Sequence, residues 1–130
     1  MNKEEEKVMS FVTPDILGSL GLLTRDQADR APFGIVKVDD SGKILMYNRS
    51  QSELEGIASS AAEGKSFFQE IAPCTNNKLF FGRFQEGVAK GELNAEFNYA
   101  FTYKLRPTPV KIHMLHDRAS RTNWVFVQKQ

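Results

Sequence analysis

Only one cysteine, Cys74, occurs in this chain of 130 residues. That excludes an internal disulfide framework and any cysteine-rich metal site. Long apolar runs are missing as well, for nothing approaches the ~20 residues that a membrane-spanning helix needs. The opening Met1-Asn2-Lys3-Glu4-Glu5-Glu6-Lys7 is acidic with no apolar stretch behind it. It does not read as a signal peptide, and a cytoplasmic protein without membrane contact is expected. Charge of one sign is not in excess either. The 17 basic and 16 acidic residues leave a net charge of +1, with no basic cluster to form a nucleic-acid footprint. A glycine-rich phosphate loop, internal repeats and low-complexity tracts are all lacking.

Aromatic residues are what the chain has in quantity: ten Phe, three Tyr and one Trp. Rings bury large areas and make a dense core, which suits a ligand pocket or plain packing equally. The length allows a single domain with a full hydrophobic core.

Thr13-Pro14-Asp15 offers an N-cap, a proline at the first helical position and an acid in the first turn. Ile16, Leu17, Leu20 and Leu23 follow at helical spacing. Gly18 and Gly21 each weaken that helix by roughly 1 kcal/mol relative to alanine. Residues 33–39 and 43–48 read as strands around Asp40-Ser41-Gly42, a hairpin turn signal. Asn48 can cap a helical stretch running to Gly56. Ser66-Phe67-Phe68-Gln69 fits a capping box that opens another, ended by Pro73. A longer helix is expected from about Asn77 to Lys90, with Phe80, Phe84 and Val88 on one face and Gly91 as its stop. Phe97, Tyr99, Phe101 and Tyr103 then alternate strictly; Val110, Ile112 and Met114 alternate after a loop, and Trp124 to Val127 closes the chain. This order implies an α+β domain, an antiparallel sheet with helices gathered on one side.

Enzyme chemistry finds little support. A cysteine nucleophile needs a base such as histidine within reach. His113 lies in an alternating strand, sharing a face with Lys111, and both His113 and His116 read as surface or satisfied edge residues. Two histidines alone lack the further ligands of a metal site. No catalytic and no metal-binding residue is therefore assigned. Cys74 stands in Ala72-Pro73-Cys74-Thr75, just ahead of the next helix. A helix N-terminus lowers a nearby thiol pKa, which suits an attachment site. A small buried hydrophobe is the plain alternative.

Gly64-Lys65-Ser66-Phe67-Phe68-Gln69-Glu70-Ile71-Ala72-Pro73-Cys74-Thr75 closely resembles the chromophore-attachment segment of the photoactive yellow protein family. The likeness runs without a gap from Phe33-Gly34 through Ile44-Leu45-Met46-Tyr47-Asn48 and Phe84-Gln85-Glu86-Gly87-Val88-Ala89-Lys90-Gly91 to Trp124-Val125-Phe126-Val127. The first thirty residues match only in character, as a short helical cap. The resemblance implies a PAS fold: a five-stranded antiparallel sheet with helices and a pocket on one face, residues 1–30 forming the cap and 31–130 the core. It implies a blue-light photoreceptor and not an enzyme, with 4-hydroxycinnamic acid (p-coumaric acid) bound as a thioester on Cys74 and held as a phenolate in the dark. Light isomerises its double bond from trans to cis, the ring takes up a proton, and the cap is released as the signal. A separate, unknown signalling protein is the expected partner, and a monomer the expected state.

The same resemblance assigns the pocket. Tyr47 aligns with a hydrogen-bond donor to the phenolate, needed because a phenol with a pKa near 10 is otherwise neutral in a protein. Phe67, Phe101 and Tyr103 supply walls, and the backbone N–H of Cys74 holds the thioester carbonyl. Some positions depart from the usual pattern. Gln51 replaces a glutamic acid that donates a proton, which an amide cannot do. Glu55 replaces a threonine, and two readings stay open: a neutral acid buried in the network, or a solvent-facing glutamate. Ile57 replaces a shielding arginine. Leu105 replaces a methionine linked to fast recovery, so slow dark recovery is expected, accelerated by Leu105→Met. These replacements keep open a PAS module without a chromophore that works through protein contacts. A cysteine-dependent enzyme is the other alternative, recognisable by ready thiol labelling.

Overall fold

Asp39 folds the chain into its first hairpin. Its Oδ1 accepts hydrogen bonds from the N–H and the hydroxyl of Ser41 and from the N–H of Lys43, at 2.7–2.9 Å. Gly42 completes the turn at φ +95°, a conformation glycine adopts at no steric cost. The flanking apolar residues pair as β1 (Gly34–Val38) and β2 (Ile44–Tyr47). The computed structural model of the chain describes residues 11–102 and 107–130.

Where one N-terminal helix is expected, three short pieces stand instead: α1 (Pro14–Leu17), a 3-10 turn (Leu20–Leu22) and α2 (Arg25–Arg30). The chain leaves α1 at Gly18, whose N–H closes on the Pro14 carbonyl. A second start signal then takes over. Thr24 accepts from the Gln27 N–H while the Gln27 side chain accepts from the Thr24 N–H, a full capping box.

Beyond the hairpin, Asn48 caps α3 (Arg49–Glu55) by accepting from the Gln51 N–H, and Gly56 ends it at φ +71°. A one-turn α4 (Ser59–Ala62) precedes a wide π-type turn (Phe67–Ile71) and a 3-10 turn (Pro73–Thr75). The Ser66 cap forms with a changed partner. Ser66 accepts from Gln69 N as expected, but its own N–H donates to Glu70 and not to Gln69. A π-type turn holds more residues than an α turn, which brings the next side chain under the cap. Similarly, the expected helix from Asn77 begins as a π-type turn (Lys78–Gly82) before α5 (Arg83–Lys90), which Gly91 ends at φ +65°.

Three further strands follow, β3 (Asn94–Phe101), β4 (Thr108–Asp117) and β5 (Thr122–Lys129). Among the described residues the five strands form one antiparallel sheet in the order β2-β1-β5-β4-β3. Strand alternation sends successive side chains to opposite faces. Val36, Val38, Ile112, Met114, Val125 and Val127 enter a core shared with Phe67, Phe68, Phe80 and Phe84. Ile35, Trp124 and Phe126 enter a second core on the other face, filled by Val12, Leu20, Ala28 and Ala31 of the N-terminal pieces. Those pieces therefore cap one face while the later helical elements cover the other. No helix among the described residues is long and apolar enough to cross a membrane.

Candidate functional site

The first core contains a polar island. Tyr47 ends β2, and Gln51 and Glu55 lie on α3 four residues apart, so both face the same way. All three are buried, Glu55 at 4% exposure. The Tyr47 hydroxyl and the Gln51 amide both donate to Glu55 Oε1, each at 2.6 Å. Two donors thus converge on one oxygen of an acid. Of the two readings open for Glu55, the structure holds the buried one. The Gln51 carbonyl oxygen is buried with no hydrogen-bond partner among the described residues. A Cβ on Gly34 would lie only 2.0 Å from that oxygen, so only glycine leaves room for the side chain.

Cys74 approaches the same core from the 3-10 turn after Pro73, packed against the cluster that holds Tyr47, Phe67 and Phe101. The backbone around it is tied down. Tyr99 donates to the Cys74 carbonyl at 2.6 Å, and Asn77 donates both to that carbonyl and to the Tyr99 hydroxyl. Thr75 is buried and closes the turn onto the Ala72 carbonyl. The thiol, however, does not behave as its place in the sequence suggests. Burial pushes its pKa up, and the charge of Glu55 adds to this, outweighing hydrogen bonds from Thr102 and from the N–H of Cys74 itself. The expected lowering by a helix N-terminus is thus corrected. Cys74 sits inside a short 3-10 turn, and the element after it opens only at Lys78.

The structure therefore gathers Cys74, Tyr47, Gln51, Glu55, Phe67 and Phe101, with Ile57 packed at the margin. Tyr103 and Leu105 lie outside the described residues. Tyr99 and Asn77 were missed by sequence reasoning; Tyr99 was visible only as one member of a strand alternation. His113 lies far from an edge reading. It is buried on β4, between β3 and β5, with Nε2 2.9 Å from Asn94 Oδ1 and Nδ1 3.2 Å from Glu96.

Comparison with known proteins places this arrangement. The PAS fold profile matches residues 23–128. The photoactive yellow protein of Rhodothalassium salexigens is 41% identical over 123 residues, covering 95% of this chain and 98% of that protein. The chain belongs to the photoactive yellow protein family. The homologue from Halochromatium salexigens is 38% identical over 122 residues, 94% of this chain and 98% of its own length. Among solved structures, the photoactive yellow protein domain of the sensor histidine kinase Ppr from Rhodospirillum centenum superposes with a TM-score of 0.81 at 38% identity, covering 86% of this chain and 98% of that domain. The quorum-sensing receptor PAS domain of RpfR from Cronobacter turicensis shares the fold alone, at a TM-score of 0.62 and 15% identity. Family membership makes this a PAS-fold protein of a photoreceptor family, as the resemblance implies.

Proposed function

We propose that the chain is a blue-light photoreceptor that carries 4-hydroxycinnamic acid as a thioester on Cys74 and passes its signal to a separate signalling protein. The observation that carries the reading is the convergence of the Tyr47 hydroxyl and the Gln51 amide on one buried oxygen, in the core that also holds the lone thiol. A donor pair of this kind suits a buried oxyanion. When bound, the group supplies visible absorption and light-driven trans–cis isomerisation. Attachment is an acyl transfer, in which Cys74 Sγ bonds to the acyl carbon of an activated donor and the leaving group departs with the thiol proton. The raised thiol pKa leaves little thiolate at neutral pH, so loading depends on a strongly activated donor.

Glu55 takes the part that Gln51 cannot. Two buried anions cannot share the same pair of donors, so Glu55 holds a proton at its carboxyl while a phenolate occupies the site. It is then an acid beside both donors, able to release a proton as the charge relocates. Tyr47 and Gln51 have no carboxylic proton to give. Phe67 and Phe101, both fully buried, exclude water around the ring. Tyr99 and Asn77 hold the attachment backbone in place.

The test is an absorption spectrum and intact mass after mixing purified protein with activated 4-hydroxycinnamic acid, beside a Cys74→Ala control. The expected result is one adduct on Cys74 and a visible band that bleaches under blue light and recovers in the dark. Glu55→Gln should then slow or abolish bleaching while the dark band persists. A protein that stays colourless, or acylates without a visible band, overturns the reading in favour of a PAS module without chromophore.

A further inference from the structure

We infer that Glu63 couples the pocket to the N-terminal cap. The inference deepens the photoreceptor reading and rests on it. Tyr47 leaves β2 with hydrogen bonds in two directions: its hydroxyl reaches Glu55 in the pocket, and its backbone N–H donates to Glu63 Oε2 at 3.1 Å. The same carboxylate binds the Arg25 guanidinium of α2, with Nη2 at 2.9 Å from Oε1 and 2.8 Å from Oε2. One side chain therefore spans the backbone of a pocket residue and a cation of the cap. Glu63 is well placed for this. It directly follows α4, whose last residue, Ala62, is fully buried, and its neighbour Gly64 donates to the Ile44 carbonyl on β2.

The cap's other polar ties to this region engage backbone or short side chains: Asn48 to the Ala28 carbonyl, the Arg49 N–H to Asp29, and Ser50 to the Ala31 carbonyl. Among the described residues only the Arg25–Glu63 contact between cap and core is an ion pair, and at 50% and 24% side-chain exposure it remains open to salt. A displacement of Tyr47 pulls on Glu63 and weakens its hold on Arg25. By reciprocity, loss of Arg25 loosens the carboxylate that fixes the Tyr47 backbone. Glu63 and Arg25 act here as positioning residues, since neither touches the pocket.

The experiment compares wild type, Arg25→Gln, Glu63→Gln and the double variant, each loaded with 4-hydroxycinnamic acid. Dark recovery after a flash is followed from low to about 1 M NaCl, a range across which exposed pairs become screened. Amide exchange at Tyr47 and along α2 is followed in the dark. Each single variant should slow recovery about two- to five-fold, the range an exposed pair supports, and the double variant no further. Salt should slow the wild type similarly and leave the variants unchanged. Exchange at Tyr47 should speed up in Arg25→Gln although the Arg25 guanidinium binds Glu63 and not Tyr47. Visible bands in all four proteins with unchanged recovery, salt response and Tyr47 exchange would overturn the coupling. Absence of a band in the wild type itself defeats the photoreceptor reading instead, and unchanged Tyr47 exchange in those colourless proteins overturns the coupling separately.

Discussion

Under the proposed photoreceptor reading, Gln51 and Glu55 divide between two side chains the roles that the resemblance implies for one glutamic acid. Gln51 can donate but not ionise; Glu55, one helical turn on, accepts from the Tyr47 hydroxyl and the Gln51 amide at 2.6 Å and is the member of the group that can carry a proton. An amide donates a weaker hydrogen bond than an acid, which leaves more electron density on the ring oxygen. Replacing Gln51 by glutamic acid should therefore move the visible band to the blue, and an unmoved band in the loaded protein would remove Gln51 from the oxygen's surroundings. His113 offers a second, independent test. Burial lowers its pKa from the ordinary 6.5, partly opposed by the nearby charge of Glu96. The folded state thus favours the neutral ring. Its contribution is fully present above the unfolded value and is lost as pH falls below 6.5 toward the depressed folded value. Thermal midpoints of the wild type should fall between pH ~7 and ~5, and His113→Gln should flatten that part of the profile.

Helix α3 is the element on which cap and pocket meet. Its cap residue, Asn48, is fully buried and its side chain makes four hydrogen bonds: Oδ1 accepts from Ile35 N and Gln51 N, and Nδ2 donates to the carbonyls of Ala28 and Phe33. Truncation to alanine removes the cap, worth about 1 kcal/mol, and strands buried partners at about 1–3 kcal/mol. Urea unfolding of Asn48→Ala should show a loss of about 2–4 kcal/mol on the same grounds. This cap was legible from the sequence, as were the β1–β2 turn and the Gly56 and Gly91 stops, because each rests on bonds between near neighbours, and the alternation of β3, because a strand sends successive side chains to opposite faces. The broken N-terminal helix was less so. Its apolar spacing continues across Gly18, and the competing start at Thr24 and Gln27 speaks only through reciprocal side-chain bonds. The island of Tyr47, Gln51 and Glu55 became legible through resemblance, whereas burial of Glu55 depended on how α3 packs. Glu63 and Arg25 lie 38 residues apart and have no local pattern at all.

At the scale of the whole molecule, the sheet has no free face at its centre. Phe33 and Phe126 meet edge to face at 6.2 Å, Phe11 packs on Phe33 at 5.4 Å, and the cap runs so close over the β4–β5 turn that a Cβ on Gly21 would lie 3.0 Å from Ser120. Removing residues 1–30 should bare Ile35, Trp124 and Phe126. Sedimentation should then show self-association of a fragment that, as a separable core, still forms a visible band; loss of the band would show that cap and core fold as one unit. The chain's only tryptophan, Trp124, is fully buried on that face, stacked on Phe126 with Lys37 5.7 Å above its ring and its indole N–H held by Thr122. Indole emission from this protein is therefore a single-site signal that originates beneath the cap. A yellow group on the other side of the sheet would quench it by energy transfer, so one lamp and one detector could follow both faces at once.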